Sequence, residues 1–498
     1  MTFITNFPFF SIVGSLFFAV LIFATQSKPR AGRILAYTLI VITMCLSATT
    51  AWYTWYTGES FTYIMGHYPA PWGNEIRAGV LESLLATCFG GILLLSIVGG
   101  RKFIIHHLED ASKHYLYYIM IALINAAMLA LLYTNDLFTA YVFVEITTLA
   151  SCAILMIRPG GRPAAAATRY MIFSLMGSGL FLIGIILMYD ITGHLLMVNI
   201  WEAVQNLSAN GYYRGPLLVA ICLMTGGLGI KSGLFPFHYW MPDTYGAATP
   251  SSSCILSGII SKTYIFVLIK IIYRVVGVDV YYSTGAHNLM FLLGIIGMIV
   301  GSVAAIRSQK LNRMIANSSA AQIGYIYMGI GLGDIGIVAA VFHMLCHAIT
   351  KPALFLSGAE IIDASGDKQD FYSIRGAAYS RKMAGLLFTV GALSMTGVPL
   401  FMGFISKILF AQATIGHPYK ILFAVTALAV STVLNAMYFL RTVINLWAPD
   451  VHHQAHQGSL MSRFSFKATA IAFIVLNISL GISAQPIIDL ILKGLAML

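Results

Sequence analysis

Lys231, Lys262, Lys351 and Lys407 each stand inside a long apolar run, and so do Glu145, His343 and His347. A lysine at the centre of a bilayer costs about 2.5–3.5 kcal/mol on insertion scales. Such residues face a bundle interior or a wet cavity and mark a path for protons or ions. The residue types suit that chemistry. Amines and imidazoles take up and release protons, and an imidazole does so near neutral pH. In general a nearby carboxylate holds a lysine protonated, whereas a dry site favours the free amine. One unit of pKa is about 1.4 kcal/mol, so a Glu–Lys pair that opens and closes can load and release a proton. Glu145 and Lys231 are predicted to form that pair; the bland alternative for Glu145 is a carboxyl kept neutral by burial, or one end of a static ion pair.

His343, His347 and Lys351 recur at four-residue intervals in Phe342-His-Met-Leu-Cys-His-Ala-Ile-Thr-Lys-Pro352. On a helix they line one face over about 12 Å. A row of three titratable groups suits a relay; a packed polar seam is the alternative. The spacing resembles the His-Glu-x-x-His zinc pattern without its glutamate, so no metal site is expected. Lys262 competes with a reading as a lysine snorkelling at a helix end, for which Lys270 and Arg274 are better placed. Lys407, in Gly403-Phe-Ile-Ser-Lys407, follows a Pro-containing break and is read as an ionisable site rather than a rim lysine. Glu82, Asp136 and Glu360 lie nearer span ends and are given no role. Two nucleotide-like patterns are set aside. In Gly229-Ile-Lys-Ser232 the lysine does not directly follow the glycine and no strand precedes it, and Gly227-x-Gly229 sits in an apolar helix. No cofactor is expected in this chain.

Interrupted helices must position these residues. Between Gly226 and Lys262 an apolar segment is broken by glycines and Pro236, with Lys231 at the break and Lys262 inside the next apolar segment. A second break, Thr396-Gly-Val-Pro399, precedes Lys407. Loose backbone at membrane depth is tolerated only where protein covers it or it lines a cavity. The rest of the chain is built to hold such helices. Its 498 residues are 58% hydrophobic and 9% charged, with mean hydropathy +0.83. That composition excludes a soluble globular domain, and the long continuous runs exclude a transmembrane barrel. At roughly 20 residues per crossing, the chain is predicted to be an all-α polytopic membrane protein of about fourteen spans: 7–25, 34–56, 77–99, 115–133, 137–157, 168–189, 216–238, 251–273, 288–306, 314–332, 335–362, 383–413, 421–447 and 467–492.

The interrupted seventh and twelfth spans suggest two inverted five-helix repeats, spans 4–8 and 9–13. The units are then 1–113, a three-helix segment; 114–275 and 288–447, the repeats; and 448–498, a C-terminal helix. Nineteen of the 29 lysines and arginines, Arg463 among them, fall in alternate loops. The positive-inside rule places those loops in the cytoplasm, and hence both termini on the outer face of the cell's inner (cytoplasmic) membrane. Arg77, Arg214, Lys270, Arg274, Lys420 and Lys493 are assigned to the opposite side. The net charge of +11 therefore sits in short loops and implies no nucleic-acid partner. Six cysteines fall singly in apolar runs and are read as packing. No basic region precedes the first apolar run, so the first span is expected to be retained.

At these residues the chain resembles a known family, the antiporter-like membrane subunits shared by respiratory complex I, Mrp-type cation/proton antiporters and membrane-bound (group 4) hydrogenases. The resemblance rests on Asn135-Asp-Leu-Phe138 with Glu145, Gly229 to Asp243, Ala247 to Lys262, Asn317 to Gly324, His343 to Lys351, and Gly397-Val-Pro399 to Lys407. It implies fourteen helices with two inverted repeats, a half-channel to each side, and a hydrated polar axis between them. By position it implies that Glu145 and Lys231 are the modulating pair, that Lys262, His343, His347 and Lys351 are the connecting relay, and that Lys407 is the terminal site. That terminal residue is glutamate or lysine among relatives and lysine here.

The function so implied is a proton- or sodium-translocating membrane subunit of a multi-subunit ion-pumping complex. The Mrp antiporter type, in its D-subunit form, and the hydrogenase type come first. A complex I NADH:quinone oxidoreductase subunit, or a self-contained cation/proton transporter, are the alternatives. Expected partners are other membrane subunits, homologous antiporter-like subunits among them, the lipid bilayer, and a peripheral redox arm with iron–sulfur clusters. No redox chemistry is expected in the chain itself.

Overall fold

The computed structural model describes residues 3–26, 28–68, 73–108, 113–416, 418–449 and 460–498, without the side chains of Pro29 and 460–463. The side chain of Arg463, counted above with the basic loops, lies outside the described residues.

The apolar runs fold as helices. In chain order they are α1 (Phe7–Ala24), α2 (Pro29–Thr57), α3 (Val80–Gly99), α4 (Arg101–His107), α5 (His114–Tyr133), α6 (Leu137–Met156), α7 (Gly161–Thr192), α8 (Met197–Ala209), α9 (Arg214–Ser232), α10 (Trp240–Ala247), α11 (Pro250–Ile255), α12 (Ser261–Ile271), α13 (Val278–Ser283), α14 (Ala286–Arg307), α15 (Leu311–Ile330), α16 (Asp334–Ala364), α17 (Ala377–Ser380), α18 (Lys382–Thr396), α19 (Met402–Thr414), α20 (Ile421–Leu446), α21 (Leu460–Ile482) and α22 (Gln485–Ala496). Among the described residues, twelve helical segments are long and apolar enough to cross a membrane. The chain is a polytopic helical membrane protein. One small antiparallel hairpin, β1 (Phe61–Ile64) with β2 (Glu75–Ala78), interrupts the all-helical pattern between α2 and α3.

Two expected spans differ from the twelve for a physical reason. The tenth corresponds to α15, whose Asn317, Ser318, Ser319 and Gln322 lower its hydropathy although nearly every residue is buried. The twelfth is two short pieces, α18 and α19, parted at Gly397. The last span is also corrected: it begins by Leu460 and ends at Ile482, and a separate helix, α22, follows. A further helix, α8, stands in the stretch expected to be a loop after α7.

Two segments run through the inside of the bundle, Pro250–Val276 and Asp334–Ala364, the second exposed only at its first two residues. These carry Lys262 and the His343–His347–Lys351 row. The first is continuous through α11 and α12 by way of a π turn, Leu256–Ile260; π turns often accompany functional residues. Around this pair, α14 packs along α15, α15 along α16, and α7 along α9. The α7–α9 contact is close because Gly177 faces Gly227: a Cβ on Gly177 would lie 2.8 Å from the Gly227 carbonyl and 3.0 Å from Lys231 Cγ. Both chain ends meet the hairpin. Phe9 lies 5.5 Å from the Tyr63 ring, and Arg77 bonds the Met497 carbonyl.

All six cysteines are free thiols. Cys152, Cys254 and Cys346 are buried as packing residues, whereas Cys45 and Cys222 face outward from the bundle.

Candidate functional site

The first break is at Gly233, three residues earlier than Pro236. α9 ends at Ser232, Gly233 takes φ +85, and the Leu234 N–H bonds the Gly229 carbonyl at 2.9 Å. Glycine tolerates that left-handed conformation without steric cost. Lys231, in the last turn, is buried, and its Nζ donates to Thr148 Oγ1 of α6 at 2.6 Å. The amine also lies over the Tyr264 ring, 5.4 Å from its centroid. Glu145 is one turn before Thr148 and close enough to act on Lys231 electrostatically. Among the described residues it makes no ion pair within 4.0 Å. The expected pair is thus neighbouring but not closed, and a threonine hydroxyl stands where the carboxylate was expected.

Lys262 is fully buried, which excludes snorkelling. Its Nζ donates to the Ser257 carbonyl, in the π turn, and to Ser261 Oγ at 3.4 Å. Ser257 Oγ meets Ser319 Oγ of α15 at 3.1 Å. The adjacent Ser318 hydroxyl accepts from Lys351 Nζ, which also donates to the Ile315 carbonyl at 3.1 Å. Two lysines far apart in sequence are therefore brought to neighbouring serines of α15, Lys351 directly at Ser318 and Lys262 by way of Ser257, which meets Ser319.

From Lys351 the row continues along α16. His347 and His343 stack with centroids 6.2 Å apart and planes 13° apart. Both ring nitrogens of His347 and Nε2 of His343 lack a protein partner though buried. His343 Nδ1 is 2.6 Å from Ser406 Oγ, beside Lys407. Lys407 Nζ donates to the Thr396 carbonyl at 2.6 Å and to Thr432 Oγ1 of α20 at 3.0 Å. Thr396 is the last residue of α18, so the lysine sits on the carbonyl that the second break frees.

The serines and threonines of this line, Thr148, Ser257, Ser318, Ser319, Ser406 and Thr432, carried no role in the sequence reading. The signal that could have found them was the run of small polar residues in α15 and the serine directly before Lys407. The side chains of Asp136, Glu82 and Glu360 are engaged locally. Asp136 caps α6 by accepting from the Thr139 N–H at 2.6 Å; Glu82 pairs with Arg77 at 3.0 Å; and Glu360 lies 3.8 Å from Arg381 Nε. The snorkelling role for Lys270 and Arg274 is overturned. Both are buried, and Lys270 donates to the carbonyls of Leu132, at 3.0 Å, and Thr134, where α5 ends. Arg77, assigned by the sequence to the same side at the start of the third span, is buried beside them.

Residues 134–435 match the family described as NADH:quinone oxidoreductase/Mrp antiporter, transmembrane. The N subunit of NADH-quinone oxidoreductase from Desulforudis audaxviator is 30% identical over 398 residues, 78% of this chain and 76% of that protein. The D subunit of the Na+/H+ antiporter from Alkalihalophilus pseudofirmus is 24% identical over 431 residues, covering 85% of this chain and 83% of its own length. A chain in the structure of the membrane-bound sulfane sulfur reductase, an archaeal respiratory membrane complex, has the same fold: TM-score 0.89 at 23% identity, over 98% of this chain and 97% of that one.

Proposed function

The chain belongs to the NADH:quinone oxidoreductase/Mrp antiporter transmembrane family, and on that premise we propose that it is the ion-translocating membrane subunit of a multi-subunit complex, moving protons, or sodium coupled to them, along a buried Lys–His–Lys axis. The observation that carries this reading is the row of buried polar groups inside the bundle: Lys262 on Ser257, which meets Ser319; Lys351 on the adjacent Ser318; and, along α16, His347 stacked on His343, which meets Ser406 beside Lys407. Buried polar atoms are almost always hydrogen-bonded, so the three open imidazole nitrogens call for water between the histidines. An imidazole with both nitrogens open accepts a proton on one side and releases one on the other.

In this reading Glu145 and Lys231 set the axis. A change at a subunit interface moves Glu145 toward or away from Lys231, and the field of Lys231 then biases proton occupancy at Lys262. Charge passes through the serines to Lys351, across the histidines, and reaches Lys407, which releases it or repels another. The reading includes fourteen crossings in two inverted repeats, 114–275 and 288–447, and the basic loops at the cytoplasmic face of the inner membrane, with both termini outside. Its partners are other membrane subunits, and electron transfer, where the complex performs it, belongs to a peripheral redox arm.

Inverted vesicles that carry the intact complex test the proposal. Lys231→Ala and Glu145→Ala should each abolish coupled ion transport while the complex still assembles. Transport at the unsubstituted rate by either variant would remove the pair from the mechanism. Transport by the isolated polypeptide in liposomes would make it a self-contained transporter instead.

A further inference from the structure

A cleft of about 860 Å³ opens on the face that carries the basic loops, between the α6–α7 connection, α10, and the segments before α15 and after α16. Six cations line it, Arg158, Arg162, Arg169, Lys310, Arg313 and Lys368, against three carboxylates, Asp243, Asp367 and Asp370. Part of this charge is already used. Asp243 pairs with Arg169 and, at 3.1 Å, with Arg313, and Arg158 donates to the Ala247 carbonyl at 3.0 Å. The side chains of Arg162, Lys310 and Lys368 are exposed and make no hydrogen bond or ion pair within 4.0 Å among the described residues, though Lys368 stands close enough to Asp370 to act on it electrostatically. The cleft therefore presents three exposed cations, Lys368 among them beside Asp370, and lined by six cations against three carboxylates it is basic on balance.

An apolar strip runs away from it. Arg169, Ile172 and Met176 follow at i, i+3 and i+7 on one face of α7, and Ile172 and Met176 are exposed. On the neighbouring α6, Leu149 and Met156 are exposed as well. Cations above a strip of this kind match an amphiphile with a phosphate head. Basic pockets between membrane helices bind anionic lipid headgroups in the same way.

We propose that this cleft holds the phosphate headgroup of an anionic phospholipid whose acyl chains lie along the α6–α7 face. The inference stands apart from the ion axis, since none of the cations lining the cleft belongs to that line. A free phosphate ion would satisfy the cations but not the strip. An acidic peptide would not reach down the lipid-facing surface.

The full chain, purified in neutral detergent, can be titrated with phosphatidylglycerol, phosphatidylcholine and inorganic phosphate, with native mass spectrometry and displacement of a fluorescent phosphatidylglycerol as readouts. Phosphatidylglycerol should bind and phosphatidylcholine should not, and binding should weaken with salt. At about fivefold per cation, Arg162→Gln with Lys368→Gln should weaken it about 25-fold. Lys28→Gln with Arg30→Gln, on another basic loop, should leave it unchanged, and Arg162→Lys with Lys368→Arg should retain it. Met176→Asn should weaken lipid binding alone. Equal losses in both glutamine pairs would reduce the effect to diffuse surface charge and overturn the proposal. Displacement of the lipid by equimolar inorganic phosphate would make the cleft a free-anion site and overturn it too, as would equal binding of the two lipids.

Discussion

The two interrupted helices stop in the same way and continue differently. At Gly233 and Gly397 the backbone takes φ +85 and φ +87. In both cases the next N–H reaches back to the carbonyl four residues before the glycine: Leu234 to Gly229 at 2.9 Å, and Val398 to Leu393 at 3.1 Å. The lysines, however, stand on opposite sides of their breaks. Lys231 precedes Gly233 and turns to a hydroxyl on another helix. Lys407 follows Gly397 and folds back onto the terminal carbonyl of α18. A helix C-terminus carries roughly half a negative charge, so Lys407 is held by a fixed dipole of its own broken helix. Lys231 answers to Thr148 and Glu145, side chains on a neighbouring helix. A fixed partner suits a terminal site, and a movable one suits a control point.

Exchanging each lysine for methionine tests this contrast most strongly. Both variants should lose coupled transport, but their stabilities should diverge. Lys407→Met leaves the Thr396 carbonyl unpaired, at a cost of roughly 1–3 kcal/mol. Lys231→Met removes a desolvated cation and should be neutral or stabilising. Unfolding midpoints in detergent measure the difference, and equal losses would erase the distinction. The next largest effect should come from the glycines. Alanine at either position must hold a left-handed φ, which costs roughly 1–2 kcal/mol, so Gly233→Ala and Gly397→Ala should melt similarly. Their transport should differ. The new Cβ at 397 would lie 2.7 Å from Lys407 Cδ and push the amine from its carbonyl, whereas at 233 it displaces the flexible Met241. The smallest effect separates the hydroxyls. Thr148→Val removes the one hydrogen-bond acceptor that Lys231 has among the described residues. It should slow transport about tenfold, by roughly the 1.4 kcal/mol of one such bond. Thr432→Val leaves Lys407 its carbonyl and should change the rate less than about threefold.

The same physics explains what could be seen in advance. Hydrocarbon excludes charge, so lysines and histidines inside apolar runs stand out in a bare sequence, as do glycine–proline interruptions. The four intramembrane lysines, both breaks and the spacing of the α16 row were legible on that basis. Lys270 was misjudged because its distance from a helix end suggested water. Its acceptors are the carbonyls at the end of α5, separated from it by more than a hundred residues.

The sequence by itself determined that the chain crosses a membrane many times and which ionisable groups must be sheltered there, because the cost of exposing them to lipid depends on residue type and depth alone. Only the tertiary structure decided what shelters them. Ser257 meets Ser319 across 62 residues, Lys231 meets Thr148 across 83, and α15 is buried despite its polarity because its Ser318 accepts from Lys351 and its Ser319 meets Ser257. Hydroxyls are common enough in membrane helices that none of them marks itself as a partner of a lysine, so their convergence on the amines emerges only when the helices pack.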